Sequence, residues 1–128
     1  MEATERSRAV SDESKPIFQQ LADWLTNGIA TGMFAEGTAL PSINEIAKFR
    51  QVNPATANRA VALLAEQGLA EKRRGLGMFV VVGAKNQVLE SRKRTFPATH
   101  LSPAIAEAKL LGLTATDLTA LIEKEWNR

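Results

Sequence analysis

The chain has 128 residues, 45% apolar and 23% charged, with a net charge of +2; that is one domain, or one small domain with an appendage, and too apolar for disorder throughout. The absence of cysteine and the single histidine, His100, exclude disulfides, thiol catalysis and thiolate zinc clusters, so no enzymatic activity, metal or cofactor is expected. No run approaches the roughly 18 apolar residues of a membrane span, so no membrane partner is expected either.

Residues 1–14 begin "MEATERSRAV", polar and of both charge signs, unlike a secretory signal. A cytoplasmic protein with a mobile arm over residues 1–14 is expected. Pro16 then opens a helical pattern in which Ile17, Leu21, Trp24, Leu25 and Ile29 recur on one stripe, with Trp24 in the core. "TGMFAEGTALPS" breaks it with Gly32, Gly37 and Pro41, and Thr38-Ala39-Leu40 within it can form a small edge strand. Ser42-Ile43-Asn44-Glu45 is a capping box that starts a short helix through Ile46, Ala47 and Phe49. After a turn at "RQV", Asn53 caps and Pro54 starts another helix, whose apolar stripe is Ala57, Ala60, Val61 and Leu64 and which Gly68 ends. Its other side carries Ala55, Thr56, Asn58 and Arg59. Two short helices joined by a tight turn make a helix-turn-helix, whose second helix can enter a DNA major groove.

"GLAEKRRGLGMFVV" follows directly. Leu69–Lys72 and Met78–Val81 read as two strands, with "RRGLG" as the turn and its glycines supplying positive φ. A phosphate-cradling reading of Gly75-Leu76-Gly77 would want a helix next, and a β run follows instead. A hairpin after a helix-turn-helix is the wing of a winged helix, with Arg73 and Arg74 near its tip for phosphates or a minor groove. Residues 84–100 add four basic groups against one acidic, compatible with a polyanion partner.

"AKNQVLESRKRT" predicts a linker helix from about Ala84, interrupted or kinked by Pro97 and Pro103, or a fresh helix at Pro103 capped by Ser102. Ile105, Ala108, Leu111 and Leu113 follow. Gly112 makes a turn, Thr114 and Asp117 form a second capping box, and Leu118, Leu121, Ile122 and Trp126 line one face of the last helix. Two short helices cannot bury such faces alone. Residues 84–128 are therefore expected to form a dimer interface through Ile105, Leu111, Leu118, Leu121, Ile122 and Trp126.

In order and spacing, "PIFQQLADWL", "GTALPSINEIA" and "VNPATANRAVALLAEQGLAEKRRGLGMFV" resemble the winged-helix DNA-binding domain of the GntR family of bacterial transcription regulators, over residues 15–82. The tail "AEAKLLGLTATDLTALIEKEW" resembles the two-helix tail of the YtrA subfamily. The resemblance implies an α+β, mainly helical fold: a winged helix-turn-helix over residues 15–83 and a helical dimerisation region over 84–128. It also implies a homodimer on a double-stranded, inverted-repeat operator, usually repressing. The family commonly has a DNA-contacting Arg where Asn44 stands; Asn can hydrogen-bond a base or phosphate but brings no charge. Pro54 stands where the family often has Arg, and "NP" there is common in the YtrA branch. Gly75 matches the wing-tip glycine. The expected DNA-contacting set is Ser42, Asn44, Asn53, Thr56, Asn58, Arg59, Arg73, Arg74, Gly75 and Gly77. Asn58 can bond adenine in two places, and Arg59 could instead pair with Glu66 or Glu45. A small-molecule effector between the tail helices is compatible with the pattern, and no residue set specifies one. The alternative is a winged helix used for protein contacts without DNA affinity, which would favour aromatic and aliphatic residues on the exposed recognition face.

Overall fold

The computed structural model describes residues 14–128; the arm expected over residues 1–14 lies, but for Ser14, outside them. The chain divides after Leu89 into two compact units.

The first unit begins with α1 (Ile17–Thr31). Pro16 precedes the helix as its N-cap, and its carbonyl accepts from the N–H groups of Gln19 and Gln20 at 3.0 and 3.1 Å. Leu21, Leu25 and Ile29 are buried as the stripe requires, but Ile17 is 56% exposed, one turn beyond the core. Gly28 is buried because the ring of Phe34 folds over it: a Cβ there would lie 2.3 Å from that ring. Trp24 is half-buried rather than central. It packs against the core edge-on to Phe34, and Phe49 stacks on it.

Next come α2 (Ile43–Arg50) and α3 (Pro54–Glu66). The turn between them passes through Gln51, whose φ of 55° lets its N–H close back on the end of α2. At the far end of α3, Gly68 adopts φ 79°, its N–H donates to Ala65 O (3.0 Å), and the Leu69 N–H donates to Leu64 O (2.9 Å). Satisfying these carbonyls is what the left-handed glycine permits.

Strands β1 (Ala70–Arg73) and β2 (Gly77–Val80) pair antiparallel, with Ala70 opposite Val80 and Arg73 opposite Gly77. The hairpin therefore sits one residue off the sequence expectation: Arg73 and Gly77 are its last pair, and only residues 74–76 turn. The segment expected as an edge strand makes an isolated bridge, Ala39 to Phe79, supported by Leu40 N–H to Met78 O (2.8 Å) and Val80 N–H to Thr38 O (2.9 Å). One core joins α1, α2, α3 and the hairpin, with Leu25, Ile29, Ile46, Leu64 and Val80 fully buried. Ala84 and Val88 of α4 (Ala84–Phe96) belong to it too. The start of α4 is tied down by the Lys85 N–H to Glu36 Oε2 (2.9 Å) and by Gln87 Nε2 to Gln67 O (3.1 Å).

In the second unit the prolines do not interrupt the helix. A single π-helical turn, Pro97–Leu101, follows α4 and leads into α5 (Ser102–Leu110). The wider i→i+5 turn, in which the Ser102 N–H reaches Pro97 O, relieves the proline ring's crowding of the preceding turn. Ser102 is itself helical, at φ −60° and ψ −42°, and the start of α5 has no side-chain cap. The expected Ser102 cap is thus absent, because the helix arrives at Ser102 already formed. The last helix, α6 (Ala115–Trp126), does carry its capping box: Thr114 Oγ1 accepts from the Asp117 N–H (3.0 Å), and Asp117 Oδ2 accepts from the Thr114 N–H (2.9 Å). Hydrogen bonding of the carboxylate by the Thr114 backbone N–H, and secondarily by the Thr114 side chain, holds the Asp117 carboxyl below the usual aspartate range.

Candidate nucleic-acid interface

The candidate surface starts from two caps. Ser42 Oγ accepts from the Glu45 N–H (3.1 Å), and Glu45 Oε1 accepts from the Ser42 N–H (2.8 Å). This box sets the start of α2, with Asn44 exposed in its first turn. Asn53 Oδ1 accepts from the Ala55 N–H (2.8 Å), which commits that oxygen to starting α3. The amide N–H₂ is what Asn53 can offer a phosphate.

Helix α3 buries Ala57, Ala60, Val61 and Leu64. Ala55, Asn58, Arg59 and Ala62 point outward at helical spacing, all exposed. Thr56 is half-buried and turns partly away from this strip. Ala62 is the member that the sequence reading missed, although the i, i+3, i+4, i+7 spacing from Ala55 carries it. Methyl groups at both ends of the strip leave the backbone close to whatever the helix meets, with Asn58 and Arg59 projecting between them. Arg59 pairs with neither Glu66 nor Glu45. Its guanidinium lies over the ring of Phe18 on α1, 3.7 Å from the centroid, and it forms no ion pair among the described residues.

The wing separates its two arginines. Arg73 ends β1 half-buried, its guanidinium 4.2 Å from the Phe79 ring centroid and its Nη2 3.3 Å from Glu71 Oε2. Gly77 opposite presents no side chain, so Arg73 can reach diagonally to Phe79. The expectation that Arg73 lies in the turn is therefore corrected: it is a strand residue held on two sides. Arg74 lies exposed in the turn, without an ion pair among the described residues. The Leu76 N–H closes the turn on Arg73 O at 2.8 Å, with Gly75 at φ 76° as its third residue. A side chain at Gly75 would meet open space, so the constraint there is backbone strain and not crowding. Leu76, 69% exposed at the tip, was missed too; an apolar residue between two turn glycines was its signal.

In the second unit the expected interface residues are uncovered in the single chain. Leu121 and Ile122 are 47% and 45% exposed, Ile105 and Leu111 are 36% and 63%, and Trp126 is 84% exposed. Leu118 is half-buried, and with Leu121, Ile122 and Trp126 it lines a shallow apolar groove on α6. Leu111 caps α5 rather than extending its stripe. Among the described residues no helix is long and apolar enough to cross a membrane, and no group of histidine or acidic side chains could hold a metal ion.

Residues 17–80 match the model of the bacterial regulatory proteins of the gntR family. The HTH-type transcriptional regulator YhcF of Bacillus subtilis (strain 168) is 31% identical over 105 residues, 82% of this chain and 85% of that protein. The HTH-type transcriptional repressor YtrA of the same organism is 29% identical over 111 residues, 87% and 85% of the two chains. Among solved structures, a transcriptional regulator from Oenococcus oeni superposes with a TM-score of 0.74 at 27% identity, covering 90% of this chain and 94% of the other.

Proposed function

This chain belongs to the GntR family of bacterial regulatory proteins, a family of DNA-binding transcription regulators, and from that membership we propose that it represses transcription as a homodimer on an inverted-repeat operator. The observation that carries the proposal is the outer strip of α3. A helix with Leu64 fully buried on one side presents Asn58 and Arg59 between Ala55 and Ala62 on the other. Slender ends with two long polar side chains suit a helix that enters a major groove and reads base edges. Asn58 is the adenine reader and Arg59 the guanine reader in this scheme, with Thr56, half-buried, in a supporting contact. Ser42, Asn44 and Asn53 sit at helix starts, where N–H groups and amides meet phosphates.

In the wing, Arg74 supplies the free charge and Leu76 the tip, with Gly75 and Gly77 shaping the turn. Arg73 contributes less, because Glu71 already neutralises it. Pairing runs through residues 84–128, where the apolar side chains of α5 and α6 need cover, and sets two recognition helices about one DNA turn or a multiple apart. The reading as a protein-contact module draws on a different surface, the apolar groove between Trp24, Met33, Phe34 and Phe49, and not on the polar strip of α3.

Anisotropy titrations of a labelled duplex over a range of salt test the DNA assignment. Arg74→Ala should weaken all sequences alike and flatten the salt dependence by about one phosphate's worth. Glu71→Gln should tighten binding and steepen it. Unchanged salt slopes in both variants would remove the wing from the interface.

A further inference from the structure

We propose that Phe18, on α1, is a positioning residue for DNA recognition: its ring holds the Arg59 guanidinium in the orientation in which it meets a base. The proposal rests on the reading that Arg59 touches DNA. Phe18 is half-buried, yet it lies outside the cluster of side chains that forms the core, so packing alone does not account for an aromatic residue there. What its ring does face is Arg59, with the guanidinium carbon 3.7 Å from the centroid.

The chemistry of the two groups makes this contact useful. A cation–π stack uses the flat face of the guanidinium. Hydrogen bonds to a guanine use its edge, where the N–H groups lie in the plane. The two interactions therefore do not compete. The ring removes rotamer freedom from one of the most flexible side chains while leaving its donors available, so less ordering remains to be done when DNA arrives. Arg73 shows the opposite arrangement: its face lies over Phe79, and its edge is engaged by Glu71. Stacking alone primes an arginine; stacking with an edge-on carboxylate retires it. The α1 face next to Arg59 is thus part of the reading head, although Phe18 itself reaches no base.

The test is a double-mutant cycle on a duplex enriched by the wild-type protein from a randomised pool, titrated by anisotropy. Phe18→Leu keeps an apolar side chain but removes the aromatic face, and should weaken binding roughly two- to five-fold. Phe18→Tyr retains the face and should restore wild-type affinity. In the Arg59→Ala background, Phe18→Leu should cost nothing further. Repeating the selection with Phe18→Leu should relax preference at the base position that Arg59→Ala relaxes. Equal losses from Phe18→Leu in both backgrounds would make its role structural and overturn the proposal. Tighter binding by Phe18→Leu would show that the ring keeps Arg59 from DNA, and would also overturn it. Full affinity in Arg59→Ala would instead sink the underlying contact, and the positioning role with it. Circular dichroism melts accompany each variant; should Phe18→Leu not fold at the assay temperature, Phe18→Met carries the same comparison.

Discussion

In the first unit, Leu25, Ile29, Ile46, Leu64 and Val80 are fully buried, while in the second, Leu111, Leu121, Ile122 and Trp126 remain between 45% and 84% exposed. Both units are helical, but for different reasons. Helices α1, α2 and α3 are held by one another's apolar faces and by the hairpin. Helices α5 and α6 are held locally, by the continuous run through Pro97 and by the Thr114–Asp117 box. Isolated helices of this length are marginal in water. The contrast separates a unit with its own buried core from one whose apolar side chains stay uncovered in the single chain.

The largest effects should fall in the first unit. Leu64→Ala should cost about 2–5 kcal/mol by opening a cavity where α1, α2 and α3 meet. Leu121→Ala should change the unfolding of that same unit by no more than about 0.5 kcal/mol. Urea titrations followed by circular dichroism check both, and similar losses would erase the distinction between the units.

Charging the second unit tests the other half of the comparison. Leu121→Glu should release single chains from the proposed homodimer, because a carboxylate buried between apolar faces without a partner is costly. Operator affinity should then drop by about 10²-fold or more, with every proposed DNA contact unaltered, since each half-site must be bound without the other. Light scattering after size exclusion, beside an anisotropy titration, measures both. A wild-type chain that is single at micromolar concentration yet binds tightly would sink the pairing role.

How far the sequence could be read divides along a similar line. The caps at Ser42, Asn53 and Thr114 were legible because each is settled within four residues by side chain and backbone together. The buried stripe of α3 was legible from its period. Contacts between elements were not. No spacing rule places Phe18 under Arg59, 41 positions apart in sequence, or turns Trp24 into the wall of a groove once Phe34 folds back over Gly28. The hairpin was shifted by one residue because Arg73 and Gly77 pair across it, a register that the turn residues alone do not specify. Of the two outcomes expected at Pro97, an interruption or a kink, the interruption does not occur, and the π-helical turn that takes its place leaves no pattern in composition.

The smallest expected effect is a pH dependence confined to α6. The Thr114 bonds depress the Asp117 carboxyl below its usual value of 3.8. A depressed carboxyl contributes stability that is fully present above the usual value and lost as pH falls through the lowered one. Amide protection across α6, measured relative to the unfolded-chain exchange rate at each pH, should therefore fall below about pH 4, while that of the first-unit helices holds. Asp117→Asn should abolish the dependence, and an unchanged profile would show that the box does not govern the helix.

The most direct test of the account is selection of duplexes by the intact wild-type protein from a randomised pool, followed by sequencing. Reading by α3 and pairing through the second unit predict an inverted repeat, its half-sites about one helical turn or a multiple apart. Enrichment of a single unrepeated site would contradict the pairing, and no enrichment over the starting pool would contradict sequence-specific reading altogether.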